Sequence, residues 1–178
     1  MLQQCCQLLE NLQLKVAFIE SASSGYLTSQ FSIHKNSGAD ILLGGLVSYD
    51  PSIKVSILNI DPKLIETYTA ESPQVTEEMG KLGQTLFQQA DLIVSCTGLL
   101  KSGGSETPEK PVGTFFYLHF LPRAYLSLPL FFIGPPRTKI KNINSESFRC
   151  ISCFTHINNT NSLTIKKREY VSIFSFRF

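Results

Sequence analysis

Apolar positions along the chain fall into two rhythms. Leu2, Cys5, Cys6, Leu9 and Leu12 recur at helical spacing and predict an amphipathic first helix. "KVAFI" (15–19) is an unbroken apolar run that predicts a buried strand, and "SSGYLTSQFSI" opens a second helix. "ADILLGGLVSY" predicts a short strand with a tight spot at Gly44-Gly45, ending at Tyr49. Asp50-Pro51, Asp61-Pro62 and Ser72-Pro73 each read as an N-cap followed by proline at the first helical position. After the last of these, Val75, Met79, Leu82 and Leu86 predict the buried stripe of a longer helix. "ADLIVSCTG" (90–98) is a second strong strand, and "LLKSGGSETPEKPVG" beyond it is a loop by composition.

"FFYLHFLPRAYLSLPLFFIG" (115–134) is apolar enough to be weighed as a membrane span. It holds His119, Pro122, Arg123 and Pro129 and alternates like two strands joined at "LPRAY", so it predicts a hairpin. Past Pro135-Pro136, the positions Ile140, Ile143, Phe148, Ile151 and Phe154 predict a final helix. A polar linker and an alternating, strand-like tail follow in residues 158–178, a unit apart from 1–157. Strands alternating with helices imply an α/β layer fold with the sheet between helices.

In such folds ligands collect where strand ends meet helix starts, because unpaired backbone N–H groups point there. Three polar or glycine-rich corners occupy such places: Ser21 to Gly25, Tyr49 to Lys54, and Thr97 to Gly104.

Composition narrows the field only a little. With 178 residues, 43% hydrophobic and 17% charged, the chain suits one globular domain with a proper core. A net charge of +2 is too small to argue for nucleic acid or a membrane surface as partner. The N-terminus lacks a basic stretch ahead of an apolar one, so no signal peptide is expected. The five cysteines match a reduced, cytoplasmic protein. Cys150, Cys153 and His156 in "CISCFTH" invite a zinc reading, but a structural site wants a second pair and none follows, so no metal is expected.

The corners carry the candidate chemistry. "ESASSG" (20–25) reads as a helix cap, an anion cradle or the seat of a nucleophile. "GGLVSYDPSIK" adds Tyr49 at a strand end and Lys54 one turn into the next helix. A serine becomes nucleophilic when something takes its proton, and a desolvated lysine can. His34, His119 and His156 are badly placed for this, which leaves Ser–Lys as the pair the chain readily offers. Spacing alone also fits a solvated Lys54. In the third corner Gly103-Gly104 allow close approach to a ligand, although the spacing is not that of a P-loop.

"ESASSG", "GGLVSY…K", "TG…GGSETPEKPVGT" and "FIGPPRTKIK" occur in an order and spacing that resemble the C-terminal domain of the CinA-type competence/damage-inducible proteins, from about Gln13 to Phe154. The resemblance implies a three-layer α/β/α sandwich with a central mixed sheet, in the stand-alone form. It implies deamidation of nicotinamide mononucleotide to nicotinic acid mononucleotide and ammonia, within pyridine-nucleotide salvage, by a homo-oligomer that needs no metal or cofactor. The family's motif serine falls on Ser21 as nucleophile, and its tyrosine and lysine on Tyr49 and Lys54 as relay and base. Ser23, Gly25, Gly45, Thr97, Gly98, Gly103 and Gly104 fall among the expected substrate contacts, with Arg137 a phosphate partner. Hydroxyl attack would make an oxyanion, expected to meet N–H groups at the start of the following helix.

Two departures from the family pattern stand out. The first glycine of "ESCTGG" is Ser24 here, a strained choice if that position needs a positive φ. The usual "x-A-G-P" after Thr97-Gly98 is Leu99-Leu100-Lys101-Ser102. A catalytically idle nucleotide-binding or assembly module is the alternative these departures raise.

Overall fold

β1 (Val16–Glu20) is buried at every position. It can be, because it lies inside the sheet and has a hydrophobic core on each face. Val16 and Phe18 point into one core, with Cys5, Cys6 and Leu9 of α1 (Leu2–Asn11) and Leu27 and Phe31 of α2 (Tyr26–His34). Ala17 and Ile19 alternate to the other, which holds Val75 and Met79 of α5 (Pro73–Leu86) together with Leu58 and Ile60. The molecule is therefore a three-layer α/β/α structure, as the alternation of strands and helices implied.

The computed structural model describes residues 2–102, 104–121 and 126–133. The remaining elements are β2 (Leu42–Val47), α3 (Pro51–Ser56), α4 (Pro62–Tyr68), β3 (Leu92–Gly98), β4 (Thr114–Leu121) and β5 (Leu126–Ile133). The sheet order is β2-β1-β3-β4-β5. The first three strands run parallel, β4 pairs antiparallel to β3, and β5 antiparallel to β4. Within the apolar 115–134 stretch, β4 and β5 thus pair as the two strands of the expected hairpin. Among the described residues no helix is long and apolar enough to cross a membrane.

Helix starts follow the predicted caps. Asp50 accepts from the amide of Ser52 at 2.8 Å and Asp61 from that of Lys63 at 2.9 Å. The Ser72 hydroxyl accepts from the Val75 amide at 3.2 Å. Each cap satisfies an amide with no intrahelical partner.

Three details differ from the sequence reading. β2 stops at Val47, not Tyr49, and Gly44-Gly45 lies inside the strand. The tight spot is instead a slip in pairing: Val16 faces Leu42 and Ala17 faces Gly44, so the strand carries an extra residue at Leu43. Leu86 is 45% exposed, because α5 turns Val75, Thr76, Met79, Gly80 and Gly83 to the sheet, while Phe87 packs on the core in its stead. The final helix expected over 140–154, the tail from 158 and the boundary between them lie outside the described residues.

Candidate active site

The three parallel strands deliver their C-terminal ends to one edge of the sheet, and the polar corners meet there. Ser21 follows β1 directly, with its amide donating to the carbonyl of Cys96 in β3 at 3.0 Å. Ser48 follows β2, with its amide donating to the Glu20 carbonyl at 2.7 Å. Both residues therefore extend the sheet ladder beyond the strand ends, and their positions inherit its rigidity.

Lys54 is 1% exposed. The alternative of a solvated lysine is overturned: α3 aims this side chain inward, under the corner. Its Nζ lies 2.9 Å from the Ser21 Oγ, 2.6 Å from the Ser48 carbonyl and 3.4 Å from the Tyr49 carbonyl. Carbonyl oxygens only accept, so two of these contacts need N–H groups on Lys54. The third, toward Ser21, is where the nitrogen carries either a lone pair or a proton. Burial pushes the lysine pKa below its ordinary 10.5, against the opposing pull of the Glu71 carboxylate nearby. A buried amine that sheds its proton readily and faces a serine hydroxyl can accept that serine's proton.

No serine of the turn that carries Ser21 caps the helix that follows. α2 begins only at Tyr26, and its N-cap is Gly25, which has no side chain to offer. Ser24 has φ +50° and Gly25 φ +88°. The position at which the family carries glycine does adopt the left-handed conformation here, with serine in it.

The turn is held by a residue the sequence reading passed over. Glu20, fully buried, accepts at both carboxylate oxygens. Oε2 takes the Ser23 hydroxyl at 2.7 Å and the Leu27 amide at 3.0 Å; Oε1 takes the Thr28 amide at 2.8 Å and the Thr28 hydroxyl at 2.6 Å. The sequence carried one signal for it, an acidic residue closing the apolar run "KVAFIE". Glu20 also corrects the expected oxyanion seat, since it occupies the α2 amides of Leu27 and Thr28. Of the turn's own amides, Ser24 donates to the Ser21 carbonyl and Tyr26 to that of Ser23. Among the described residues no acceptor is found for the amides of Ala22 and Gly25.

The other predicted site residues are distributed less evenly. Ser23 is buried between Glu20 and the Cys96 Sγ, 2.8 Å from the latter. Burial pushes the Cys96 thiol up to about 11. Tyr49 is 58% exposed and meets Lys54 through its carbonyl, not its hydroxyl. The Thr97 hydroxyl lies on the α5 face, 2.7 Å from that of Thr76, and both side chains are buried. Gly45 has a packing reason: a Cβ there would fall on the Thr28 Oγ1 and 3.2 Å from the Phe18 carbonyl. Gly98 ends β3 opposite Phe115, and the Gly104 amide donates to Glu106 at 2.8 Å. Gly103, Arg137 and the cysteine pair Cys150–Cys153 lie outside the described residues. Among the described residues no group of three or more His, Cys, Asp or Glu side chains is placed to hold a metal ion.

Beside this corner Lys110 ties down the glycine-rich loop. Its Nζ reaches the Thr69 hydroxyl at 2.9 Å, the Ser105 hydroxyl at 2.8 Å and the Glu71 carbonyl at 3.2 Å. Ser105 in turn donates to the Glu71 carboxylate at 2.8 Å.

Comparison with known proteins supplies the family context. A family model described as "CinA C-terminal domain" matches residues 1–147. A "CinA-like protein" of Chlorobaculum tepidum is 43% identical over 108 residues, which are 60% of this chain and 25% of that protein. Another from Mycobacterium avium is 38% identical over 100 residues, 56% of this chain and 22% of that protein. The chain thus spans about a quarter of the length of these relatives. Among solved structures, a CinA superfamily protein from Klebsiella pneumoniae 700603 superposes with a TM-score of 0.74 at 17% identity, over 88% of this chain and 99% of the other. One from Enterobacter cloacae gives 0.71 at 22% identity, over 85% and 89%. At these identities the superpositions establish the fold alone.

Proposed function

The chain belongs to the CinA C-terminal domain family, and from that premise we propose that it is a nicotinamide-nucleotide amidase, converting nicotinamide mononucleotide and water to nicotinic acid mononucleotide and ammonia. The observation that carries this reading is the 2.9 Å contact between the Lys54 Nζ and the Ser21 Oγ inside a desolvated corner.

In the proposed cycle neutral Lys54 takes the Ser21 proton as Oγ attacks the carboxamide carbon. The amides of Ala22 and Gly25 are the candidates to receive the oxyanion. Removing one such donor typically costs on the order of a hundredfold to a thousandfold. Collapse of the tetrahedral species breaks the C–N bond, and the Lys54 ammonium gives its proton to the leaving nitrogen, releasing ammonia. Water then attacks the Ser21 ester, Lys54 accepts the water's proton, and that proton returns to the departing Ser21 oxygen. Tyr49 serves here through its carbonyl, which orients the lysine. Arg137 is the proposed phosphate partner, since a guanidinium grips phosphate with paired hydrogen bonds. A cytoplasmic homo-oligomer acting on a small nucleotide completes the reading.

The idle-module alternative draws on the altered Leu99–Ser102 loop and on Thr97, whose hydroxyl is engaged by Thr76. Against it, the Ser24 departure leaves the left-handed turn in place. Ammonia release from nicotinamide mononucleotide, assayed beside Ser21→Ala, separates the two. Release by wild type that vanishes in the variant supports the amidase; no release from folded wild type sinks it.

A further inference from the structure

Resting on the serine–lysine reading above, we propose that Glu20 is the positioning residue of the pair, holding the nucleophile turn with its carboxylate and the lysine's anchor with its carbonyl. The carboxylate binds four donors, two on each oxygen, and all four belong to the segment Ser23–Thr28 just past Ser21. The carbonyl of the same residue accepts from the Ser48 amide at 2.7 Å, with the Ser48 hydroxyl at 3.4 Å. Ser48 in turn offers its own carbonyl to the Lys54 Nζ at 2.6 Å. One rigid residue at the end of β1 therefore fixes both sides of the 2.9 Å contact.

The donor count makes a carboxylate necessary rather than convenient. Each oxygen meets one backbone N–H and one hydroxyl. A hydroxyl can turn and accept, but a backbone N–H cannot. Glutamine has the same shape, yet its NH₂ must face either the Leu27 or the Thr28 amide, whichever way it is flipped. One buried amide then loses its acceptor, and the turn must shift to find another. Ser21 sits at the mouth of that turn, so a shift moves the Oγ relative to Lys54. A displacement of about 1 Å in reacting groups can cost on the order of a hundredfold in rate.

The test reads the reactivity of Ser21 without relying on the substrate assignment. Labelling of Ser21 by a fluorophosphonate is followed against pH in wild type, Glu20→Gln, Ser23→Ala and Thr28→Val, with Val75→Ala as a destabilised control from the opposite core. Nicotinamide mononucleotide turnover is measured in parallel, and every rate is taken below the variant's own unfolding midpoint. We expect Glu20→Gln to lower the plateau labelling rate about tenfold to a hundredfold, with the pH midpoint set by Lys54 in place. Val75→Ala should label at the wild-type rate, and any turnover by Glu20→Gln should fall in kcat rather than KM. Should Glu20→Gln fail to fold, Ser23→Ala and Thr28→Val decide, each removing one donor and each expected to slow labelling severalfold. Labelling within twofold of wild type in Glu20→Gln, or in both donor variants, overturns the proposal. So does a wild type that neither labels nor turns over, since an unreactive pair leaves nothing to position. A wild type that labels but leaves nicotinamide mononucleotide intact defeats the substrate assignment while Glu20 is still decided by labelling.

Discussion

The Ser21 hydroxyl and the Lys54 amine meet at 2.9 Å although 33 positions separate them in the chain. The contact crosses from the end of β1 to the last turn of α3, and the intervening β2 returns parallel to β1 to make it. Both side chains are buried, so the pair works in a medium where proton affinities depart from those in water.

Turnover should therefore depend on the neutral form of Lys54. Since burial lowers its pKa, kcat/KM is expected to rise with pH to a plateau, with its midpoint below the ordinary lysine value of 10.5. Lys54→Arg, which stays charged across this range, should lose at least about a thousandfold at every pH. A wild-type midpoint at or above 10.5, or an active arginine variant, would remove Lys54 from the role of base.

The same shift makes a prediction about stability. Between the folded pKa of Lys54 and 10.5, the unfolded chain binds one more proton than the fold does, so raising the pH across that window favours folding. Below the folded pKa the cost of burying the ammonium is present in full. Denaturant melts of wild type and Lys54→Met across the alkaline range should show wild type gaining relative to the variant as pH rises. Parallel curves would mean that Lys54 folds with an ordinary proton affinity.

Ser24 holds φ +50° in a turn that glycine would occupy without penalty. A side chain in that region costs roughly 1–2 kcal/mol, while glycine gives back about 0.5–1 kcal/mol through the freer unfolded chain. Ser24→Gly is accordingly expected to stabilise by about 0.5–1 kcal/mol, or roughly 1–4 °C in Tm. Calorimetry on the two proteins checks it, and an unchanged or lower Tm counts against stored strain at this corner.

Gly45→Ala should do the opposite. The new Cβ falls on the Thr28 Oγ1, which is also a ligand of Glu20. Overpacking of this kind costs about 1–3 kcal/mol. Because the clash and the hydrogen bond share one atom, Thr28→Ala and Gly45→Ala should be non-additive, the double variant losing less than the sum. A double-mutant cycle with no coupling would place the glycine's constraint elsewhere.

Much of this was legible in one dimension. Apolar alternation and the three Asp-Pro and Ser-Pro caps located the elements, because burial and unpaired helix amides are local demands that a sequence states directly. The family resemblance that the corners carry pointed to Ser21 and Lys54, and to Ser24 as a strained choice if its position needs a positive φ. Other properties belong to the packed molecule. Nothing along the chain says which way α3 turns Lys54, that Tyr49 contributes a carbonyl, or that the Thr97 hydroxyl is already engaged by Thr76. Those depend on helix rotation and on which face of β3 meets α5, and both are settled by non-local packing. Glu20 was hidden for the same reason. A lone acidic residue after a strand looks soluble until the fold buries it and surrounds its two oxygens with four donors from the next turn of chain. The chemistry at this corner was readable as residue types; desolvation and aim, which make a lysine into a base, came only with the tertiary structure.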